Sequence, residues 1–191
     1  MEALSATRNI RIAFEFLRCL PHLIVYVSCK NRKIIEYETQ KWMNIKKISY
    51  NKYVGFIYLM SYFPEFRNLF YHRIYSFRTF LKILCPPLSS LYLHTKEIGE
   101  GFYIQHGFST IVGAKSIGKN CMINQQVTIG DNNDTGCPTI LDNVSIRAGA
   151  MIIGNITIGN NCVIGANSTV IKDIPDNSTV FPPMANVMKW Q

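Results

Sequence analysis

The most constraining feature of this chain is a run of six-residue units from Ile140 to Ile174. Written in sixes, the run reads ILDNVS, IRAGAM, IIGNIT, IGNNCV, IGANST and VIKDIP. The first residue of each unit is a branched aliphatic, and the fifth is small or apolar. A period of six fits neither an α-helix, which repeats every 3.6 residues, nor a strand, which alternates every second residue.

This repeat is typical of short strands joined by regular corners. The aliphatic residue of each unit would point inwards, and the Gly and Asn residues suit the positive-φ conformations of a tight corner. Three such sides close a triangular coil of about 18 residues, and stacked coils form a parallel β-solenoid. Six consecutive matching units favour this architecture over a set of ordinary strands and turns.

The repeat extends towards the N-terminus, but its register changes. Ile98 and Ile104 are six residues apart, and a second series then begins one residue out of step. We expect the slip within residues 107–113, an insertion at residues 130–139, and a capping tail after the last unit. Inserted residues of a solenoid form loops on one face, commonly the face that binds a ligand. The second series consists of Ile111, Ile117, Ile123 and Ile129.

Residues 1–92 carry a different pattern, in which apolar residues follow helical spacing. We therefore divide the chain into an N-terminal helical region, residues 1–92, and a β-solenoid domain with its capping tail, residues 93–191. The predicted helices cover residues 7–20, 33–45 and 64–84, with breaks at Pro21 and Asn51.

Basic residues are concentrated in the helical region. Residues 1–92 contain 14 Lys and Arg against 5 Glu, a net charge of +9, whereas residues 93–191 have a net charge of −1. The last predicted helix combines an aromatic stripe with a basic face. Such a helix either packs its stripe inside the protein, which we favour, or lies on an anionic membrane surface. The stripe comprises Phe66, Leu69, Phe70, Ile74, Phe77, Phe80, Leu81 and Leu84, and the basic face comprises Arg67, Arg73, Arg78 and Lys82.

The six cysteines contain no C-x-x-C pair, and Cys121 and Cys162 fall at interior positions of the solenoid. We therefore predict free thiols, which are typical of a reducing compartment. The start of the chain lacks a signal-peptide pattern, and its most apolar run, residues 21–29, is too short to cross a bilayer. These features predict a cytoplasmic protein, placed at the inner face of the membrane if the basic helix binds lipid.

The strongest candidate for chemistry is His106, which precedes a glycine next to the register slip. Allowing for that slip, Gln125 falls one coil later and roughly above it. A histidine at such a corner suits a general base near neutral pH, although an ordinary corner residue is the alternative. The remaining histidines and Cys137 lack the spacing of metal ligands, so we expect no metal site.

A family resemblance is carried by the segments IGEGFYIQHGFSTIVG, INQQVTIG and IRAGAMIIGNITIGNNCVIGANSTVIKDIPDNS. They resemble the hexapeptide acyltransferases, especially the serine O-acetyltransferase branch and its relatives in capsule and exopolysaccharide gene clusters. The resemblance covers about residues 93–180. It implies a left-handed parallel β-helix that transfers acetyl from acetyl-CoA to a hydroxyl without a metal. It also implies a homotrimer or a dimer of trimers, with no nucleic-acid partner.

The same resemblance implies roles for individual residues. His106 falls on the catalytic histidine of the family, which removes the proton of the acceptor hydroxyl. Contacts to the acceptor carry over to Gln105, Gln125 and Cys137. The acetyl-CoA contacts carry over to Gly130, Ala148, Gly149, Ala166 and Lys172.

Several positions depart from the serine branch. Leu91 stands where that branch has an aspartate that orients the histidine, and Gln105 stands in place of a second aspartate. Gly136 and Cys137 replace an Arg-His pair. Since a zwitterion needs charged partners, we expect a surface-polysaccharide sugar or its precursor as the acceptor. L-serine, on the route to cysteine, is the alternative, and a non-catalytic scaffold or membrane-binding module is a third hypothesis.

Overall fold

The computed structural model of the protein describes residues 2–74, 78–132 and 136–183, with side chains from residue 14 onwards. Five helices come first, followed by fourteen strands of two or three residues. The helices are α1 (Glu2–Ser28), α2 (Arg32–Lys46), α3 (Lys52–Tyr62), α4 (Pro64–Arg73) and α5 (Arg78–Leu84).

The strands wind into a triangular solenoid of parallel strands. The first face has the order β1-β4-β7-β10-β13, the second β2-β5-β8-β11, and the third β3-β6-β9-β12-β14. The prediction of a left-handed parallel β-helix with preceding helices is confirmed. The strands are β1 (Leu91–Leu93), β2 (Glu97–Ile98), β3 (Tyr103–Ile104), β4 (Thr110–Val112), β5 (Ser116–Ile117), β6 (Met122–Ile123), β7 (Thr128–Gly130), β8 (Thr139–Ile140), β9 (Ser145–Ile146), β10 (Met151–Ile153), β11 (Thr157–Ile158), β12 (Val163–Ile164), β13 (Thr169–Val170) and β14 (Thr179–Val180).

One aliphatic residue from each strand points into the solenoid and stacks on its equivalents in the next coils. On the third face the stack is Ile104, Ile123, Ile146 and Ile164, and each is at most 1% exposed. Burying one such side chain contributes about 1.5–3 kcal/mol. The stack therefore explains why a branched aliphatic occupies the first position of every six-residue unit.

The register of the first face differs from the prediction at one residue. Val112, and not Ile111, pairs with Ile129 and is fully buried, whereas Ile111 points outwards and is 43% exposed. The reason is that the turn between Ile104 and Val112 is two residues longer than the equivalent turn between Ile123 and Ile129.

The corner between the second and third faces shows how asparagine serves the repeat. Asn120, Asn143, Asn161 and Asn177 all have φ near +60°. The side-chain amide of Asn143 donates to Asn161, which in turn donates to Asn177, both at 3.0 Å. This ladder satisfies polar groups between coils, as the predicted role of Asn at corners requires.

Two predicted helix boundaries were wrong. Helix α1 continues through Pro21, because the buried side chains of Cys19 and Tyr26 hold both flanking turns against the other helices despite the missing proline N–H. The predicted helix of residues 64–84 is two helices. Extended backbone at Ile74 ends α4, and Phe77 lies outside the described residues.

The predicted basic face was also wrong in part. Arg67 and Arg73 are buried, since their guanidinium groups bind backbone carbonyls. Arg73 also forms a buried ion pair with Glu38 of α2. Most of the aromatic stripe packs into the core, but Phe80 of α5 is exposed.

The helices cap the first coil and share a core with it. The Trp42 indole N–H donates to the carbonyl of Phe102, and its ring packs edge-on against Tyr103 with centroids 4.7 Å apart. Arg73 reaches the carbonyls of Ile98 and Gly99. The helices end at Leu84 and the solenoid begins with β1, so the predicted boundary at residue 92 falls inside that strand, and the division into two domains stays a proposal.

The remaining expectations concern thiols, the tail and membrane spans. All six cysteines are free, with Cys121 and Cys162 buried inside the solenoid as predicted. The predicted capping tail contains one more strand, β14, which pairs with β12; residues after 183 lie outside the described ranges. Within the described ranges, no helix combines the length and apolarity needed to cross a bilayer.

Candidate active site

The turns that join the third face to the first form one edge of the solenoid, here called the histidine corner. It comprises residues 105–109, 124–127, 147–150 and 165–168, one turn from each of four successive coils. The first of these turns, counted with Thr110 of β4, which corresponds to Val127, has two more residues than its equivalents. The regular repeat is therefore broken at the corner where His106 lies.

Backbone conformation at this turn is unusual. His106 has φ +67°, Gly107 has φ +33° and Ser109 has φ +52°. A left-handed conformation costs a residue other than glycine about 1–2 kcal/mol. The turn directs His106 to the exterior while Gly107 is buried beneath it. Strain of this kind is often found at functional sites.

The register of the third face fixes which residues lie beside His106 along the solenoid. Ile104 pairs with Ile123, so Gln105 lies one coil from Asn124, but the two extra residues put His106 out of step with Gln125. The Phe108 carbonyl accepts from the Gln126 N–H as the Gln125 carbonyl accepts from the Gly149 N–H, so Phe108 is the equivalent of Gln125. Ile123 pairs with Ile146, and Ile146 with Ile164. Two columns therefore run along the corner: Phe108, Gln125, Ala148 and Ala166, and beside it Gln105, Asn124, Arg147 and Gly165. His106 lies in the expanded part of the first turn, between Gln105 and Phe108.

Two amide oxygens at this corner lack partners. The side-chain oxygens of Asn124 and Gln125 are buried and accept no hydrogen bond from the described residues. A buried acceptor without a donor costs about 1–3 kcal/mol. Both atoms therefore suit a bound molecule or water that offers N–H or O–H groups.

The predicted site residues do not all meet within one chain. Gln105, Gln125, Ala148, Gly149 and Ala166 share the histidine corner with His106. The other three lie at the next corner, beyond the first face, because the insertion leaves the solenoid after β7. A three-residue strand such as β7 separates the two corners by roughly 10 Å. Those three residues are Gly130, Cys137 and Lys172.

Sequence reasoning missed Glu65 of α4. A Cβ placed on Gly107 would lie 3.0 Å from Cγ of Glu65 and 3.1 Å from Cδ2 of Leu91. The acid thus packs against the turn that carries His106. The only sequence signal was an acidic residue in the first turn of a helix, which says nothing about its neighbours in space.

The polar groups of the corner differ from those expected of a metal site. Throughout the described ranges, no cluster of three His, Cys, Asp or Glu side chains is placed to hold a metal ion. The corner instead offers an exposed imidazole, two unpaired amide oxygens and, in the second column, the exposed guanidinium of Arg147. These groups suit proton transfer and the binding of a polar organic molecule.

Comparison with known proteins agrees with this geometry. Residues 137–172 match the family model described as bacterial transferase hexapeptide (six repeats). The β-helix belongs to the hexapeptide-repeat transferases. Within them, this hexapeptide domain falls in the serine acetyltransferase-like branch.

The hexapeptide domain and its helices are similar to three proteins in particular. The serine acetyltransferase of Synechococcus elongatus is 36% identical over an alignment of 132 residues, which covers 62% of this chain and 54% of that protein. The crystal structure of Neisseria gonorrhoeae serine acetyltransferase in complex with serine is 26% identical, with a TM-score of 0.63, and the match covers 85% of this chain and 71% of that one. The crystal structure of serine acetyltransferase isoform 3 from Entamoeba histolytica, in complex with cysteine, has a TM-score of 0.66. The match covers 100% of this chain and 70% of that chain at 24% identity, so it shows a similar fold and nothing more. The chain thus spans about half the length of the curated relative.

Proposed function

We propose that the protein is an acetyl-CoA-dependent O-acetyltransferase with His106 as its general base. The observation that carries the proposal is an exposed histidine at the expanded turn of the histidine corner, in a hexapeptide domain similar to serine acetyltransferases. In this reaction the imidazole removes the proton of the acceptor hydroxyl while its oxygen attacks the thioester carbonyl. The coenzyme A thiolate then leaves and takes the proton from the imidazolium.

Acetyl-CoA would lie along the column next to His106. Ala148, Gly149 and Ala166 are small, so they leave a shallow groove that a linear arm can follow. Backbone N–H groups at the corner would stabilise the oxyanion. Gly130 and Lys172 belong to the next corner, and in a trimer they would line this groove from the neighbouring subunit.

For the acceptor we propose L-serine, although the sequence alone placed a polysaccharide sugar first. The relatives are named serine acetyltransferases, and one solved structure contains serine. The sequence objection was the lack of charged groups near His106. Arg147 answers that objection for the cation, since it lies on the same corner, two coils from Gln105, where it would meet the carboxylate of L-serine.

A sugar hydroxyl is the second candidate. Gln105 is neutral, and Gly136 and Cys137 offer no cation. Amides such as Gln105 and Gln125 both donate and accept, which suits neutral hydroxyl groups. The polysaccharide acceptor is supported by these side chains.

A homotrimer would complete the site, because the residues of the two corners are far apart within one chain. The helices add a second contact surface. Five large apolar side chains on α1 and α5 are exposed by 62–76%. A second trimer or, together with the basic residues Arg78 and Lys82, a membrane surface would cover them. The five are Phe14, Leu17, Ile24, Phe80 and Ile83. The free thiols support a cytoplasmic location.

The decisive experiment measures thiol release from acetyl-CoA with L-serine and a panel of sugars and nucleotide sugars. We expect turnover with L-serine. His106→Asn should lower it by about 10²–10⁴-fold, the usual loss for a general base, with the circular dichroism spectrum unchanged. Activity of this variant near that of the wild type would contradict the mechanism, and turnover with a sugar alone would reverse the order of the two acceptors.

A further inference from the structure

The side chain of Glu65 packs closely against the histidine corner. Its Cγ lies 3.0 Å from the position of a Cβ on Gly107, tighter than most real Cβ contacts. Gly107 directly follows His106, and consecutive Cα atoms are about 3.8 Å apart. The Glu65 side chain, which comes from α4, therefore packs against the residue next to the one that carries the imidazole.

Helix α4 holds Glu65 firmly in this place. The Asn68 side chain donates to the carbonyls of Leu88 and Leu91 and accepts from the Leu88 N–H at 2.8 Å. Arg67 binds the carbonyls of Ser61 and Pro86. The Asn68 bonds hold α4 against β1 and the segment before it, and the Arg67 bonds hold it against α3 and that segment, so the backbone that carries Glu65 is fixed beside the histidine corner.

The remaining described carboxylates are engaged elsewhere or lie on other parts of the solenoid. Four glutamates form ion pairs, three aspartates bind backbone N–H groups away from the histidine corner, and two acids stand on β2 and the insertion. No described residue forms an ion pair or hydrogen bond with the Glu65 carboxylate. The engaged or distant acids are Glu15, Glu36, Glu38 and Glu100, then Asp142, Asp173 and Asp176, then Glu97 and Asp131.

We propose that Glu65 is the positioning residue for His106. Its carboxylate, which has no partner among the described residues, would accept a hydrogen bond from one imidazole N–H once the two side chains rotate towards each other. That bond would leave the other nitrogen unprotonated and directed at the acceptor hydroxyl. A carboxylate in this position also stabilises the imidazolium that forms during the reaction. Leu91, which packs against the same glycine, is apolar, so the helical region supplies the acid that the solenoid lacks. This inference rests on the proposed function of His106.

Two other roles for Glu65 make different predictions. As a first-turn acid of α4 it would only stabilise the helix dipole. As a partner for the ammonium group of L-serine it would affect KM and leave the ring of His106 unchanged. The conservative variant Glu65→Gln keeps the size of the side chain and removes its charge, and Glu65→Asp keeps the charge on a shorter side chain.

The first measurement is kinetic. Glu65→Gln should lower kcat for acetyl transfer by about 10- to 100-fold, as the loss of a histidine-orienting partner typically does, with little change in KM for acceptor or acetyl-CoA. Glu65→Asp should recover part of the loss. Glu97→Gln, at an exposed acid on the second face, is the matched control and should leave kcat unchanged.

The second measurement does not depend on activity. Long-range proton–nitrogen NMR of the imidazole rings reports which nitrogen carries the proton, and His106→Asn assigns the signal among the four histidines. In the wild type the ring should hold one tautomer, and Glu65→Gln should shift that ring towards a mixture. The other histidine signals should stay in place.

The outcomes separate the two proposals. A shift in tautomer without any acetyl transfer would sustain the pairing of Glu65 with His106 and remove the proposed function. An unchanged tautomer would overturn the positioning role, whether Glu65→Gln raises KM alone or changes only the melting temperature.

Discussion

At the scale of single residues, the histidine corner depends on two neighbours with opposite surroundings. His106 is exposed in a left-handed conformation, and Gly107 is buried against Glu65 and Leu91. Only a residue without a Cβ accepts both the positive φ and the close contact. Gly107 thereby lets an acid from the helices approach the turn that carries the imidazole.

Replacement of this glycine is therefore expected to affect both stability and the site. Gly107→Ala should lower the melting temperature by about 2–8 °C, because the left-handed conformation costs about 1–2 kcal/mol, and should also lower acetyl transfer by displacing Glu65. Differential scanning calorimetry and the thiol-release assay measure the two effects.

Gly130→Ala is the matched stability control, since a Cβ there meets nothing within 4 Å and φ is not positive. Its melting temperature should stay close to that of the wild type. Equal destabilisation of the two variants would show that Gly107 has no special role.

At the scale of elements, the helices are joined by buried polar groups as well as by aromatic packing. His22 of α1 lies within hydrogen-bond distance of the Tyr71 hydroxyl at 2.9 Å and the Leu81 carbonyl at 3.1 Å. It is fully buried, and burial lowers its pKa to about 4. This histidine thus joins α1, α4 and α5 in its neutral form.

The folded helices should lose stability in mild acid because of His22. Its pKa is lower in the folded state than the ordinary value of about 6.5, so the unfolded chain binds a proton that the folded chain does not. The free energy of unfolding should fall as the pH decreases from about 6.5 towards 4, by at most about 1.4 kcal/mol per pH unit from this residue. Urea unfolding at a fixed protein concentration measures the slope.

The comparison that isolates His22 is the variant His22→Gln, which does not titrate. It should be less stable at pH 7 but show a shallower pH dependence. An unchanged slope would assign the acid sensitivity to other groups, such as His72, whose pKa burial also lowers.

At the scale of the whole molecule, the helices and the solenoid meet over one continuous core, and two surfaces remain for other copies. The first is the side of the solenoid between the two corners, and the second is the apolar face of α1 and α5. The first would complete the groove, and the second would join trimers. Burial of such apolar area is the driving force for stable association.

Assembly can be tested by sedimentation velocity at micromolar concentration. We expect a trimer or hexamer and no monomer of 21.8 kDa. Phe80→Glu combined with Ile83→Glu should convert a hexamer into trimers while the trimers remain active, because both side chains lie on α5, away from the histidine corner. A stable, active monomer would contradict the shared groove.

Liposome flotation of the wild type tests whether the apolar face of α1 and α5 binds a membrane and not a second trimer. Binding to acidic vesicles that is lost at moderate salt would assign α1 and α5 to a membrane surface.

The sequence by itself determined the solenoid, its three-sided coils and the corner that carries His106. Each of these depends on one inward residue per side and on Gly or Asn at the turns, so the pattern is local and repeats every six residues. Tertiary structure alone decided the rest. The extra residues fall between Ile104 and Val112, which moved Ile111 outwards, and Arg73 is buried in an ion pair because α4 packs on the first coil. Glu65 packs against the turn that carries a histidine 41 residues later because Asn68 and Arg67 hold α4 there. Contacts between a helix and a solenoid have no period, so no spacing in the chain could have indicated them.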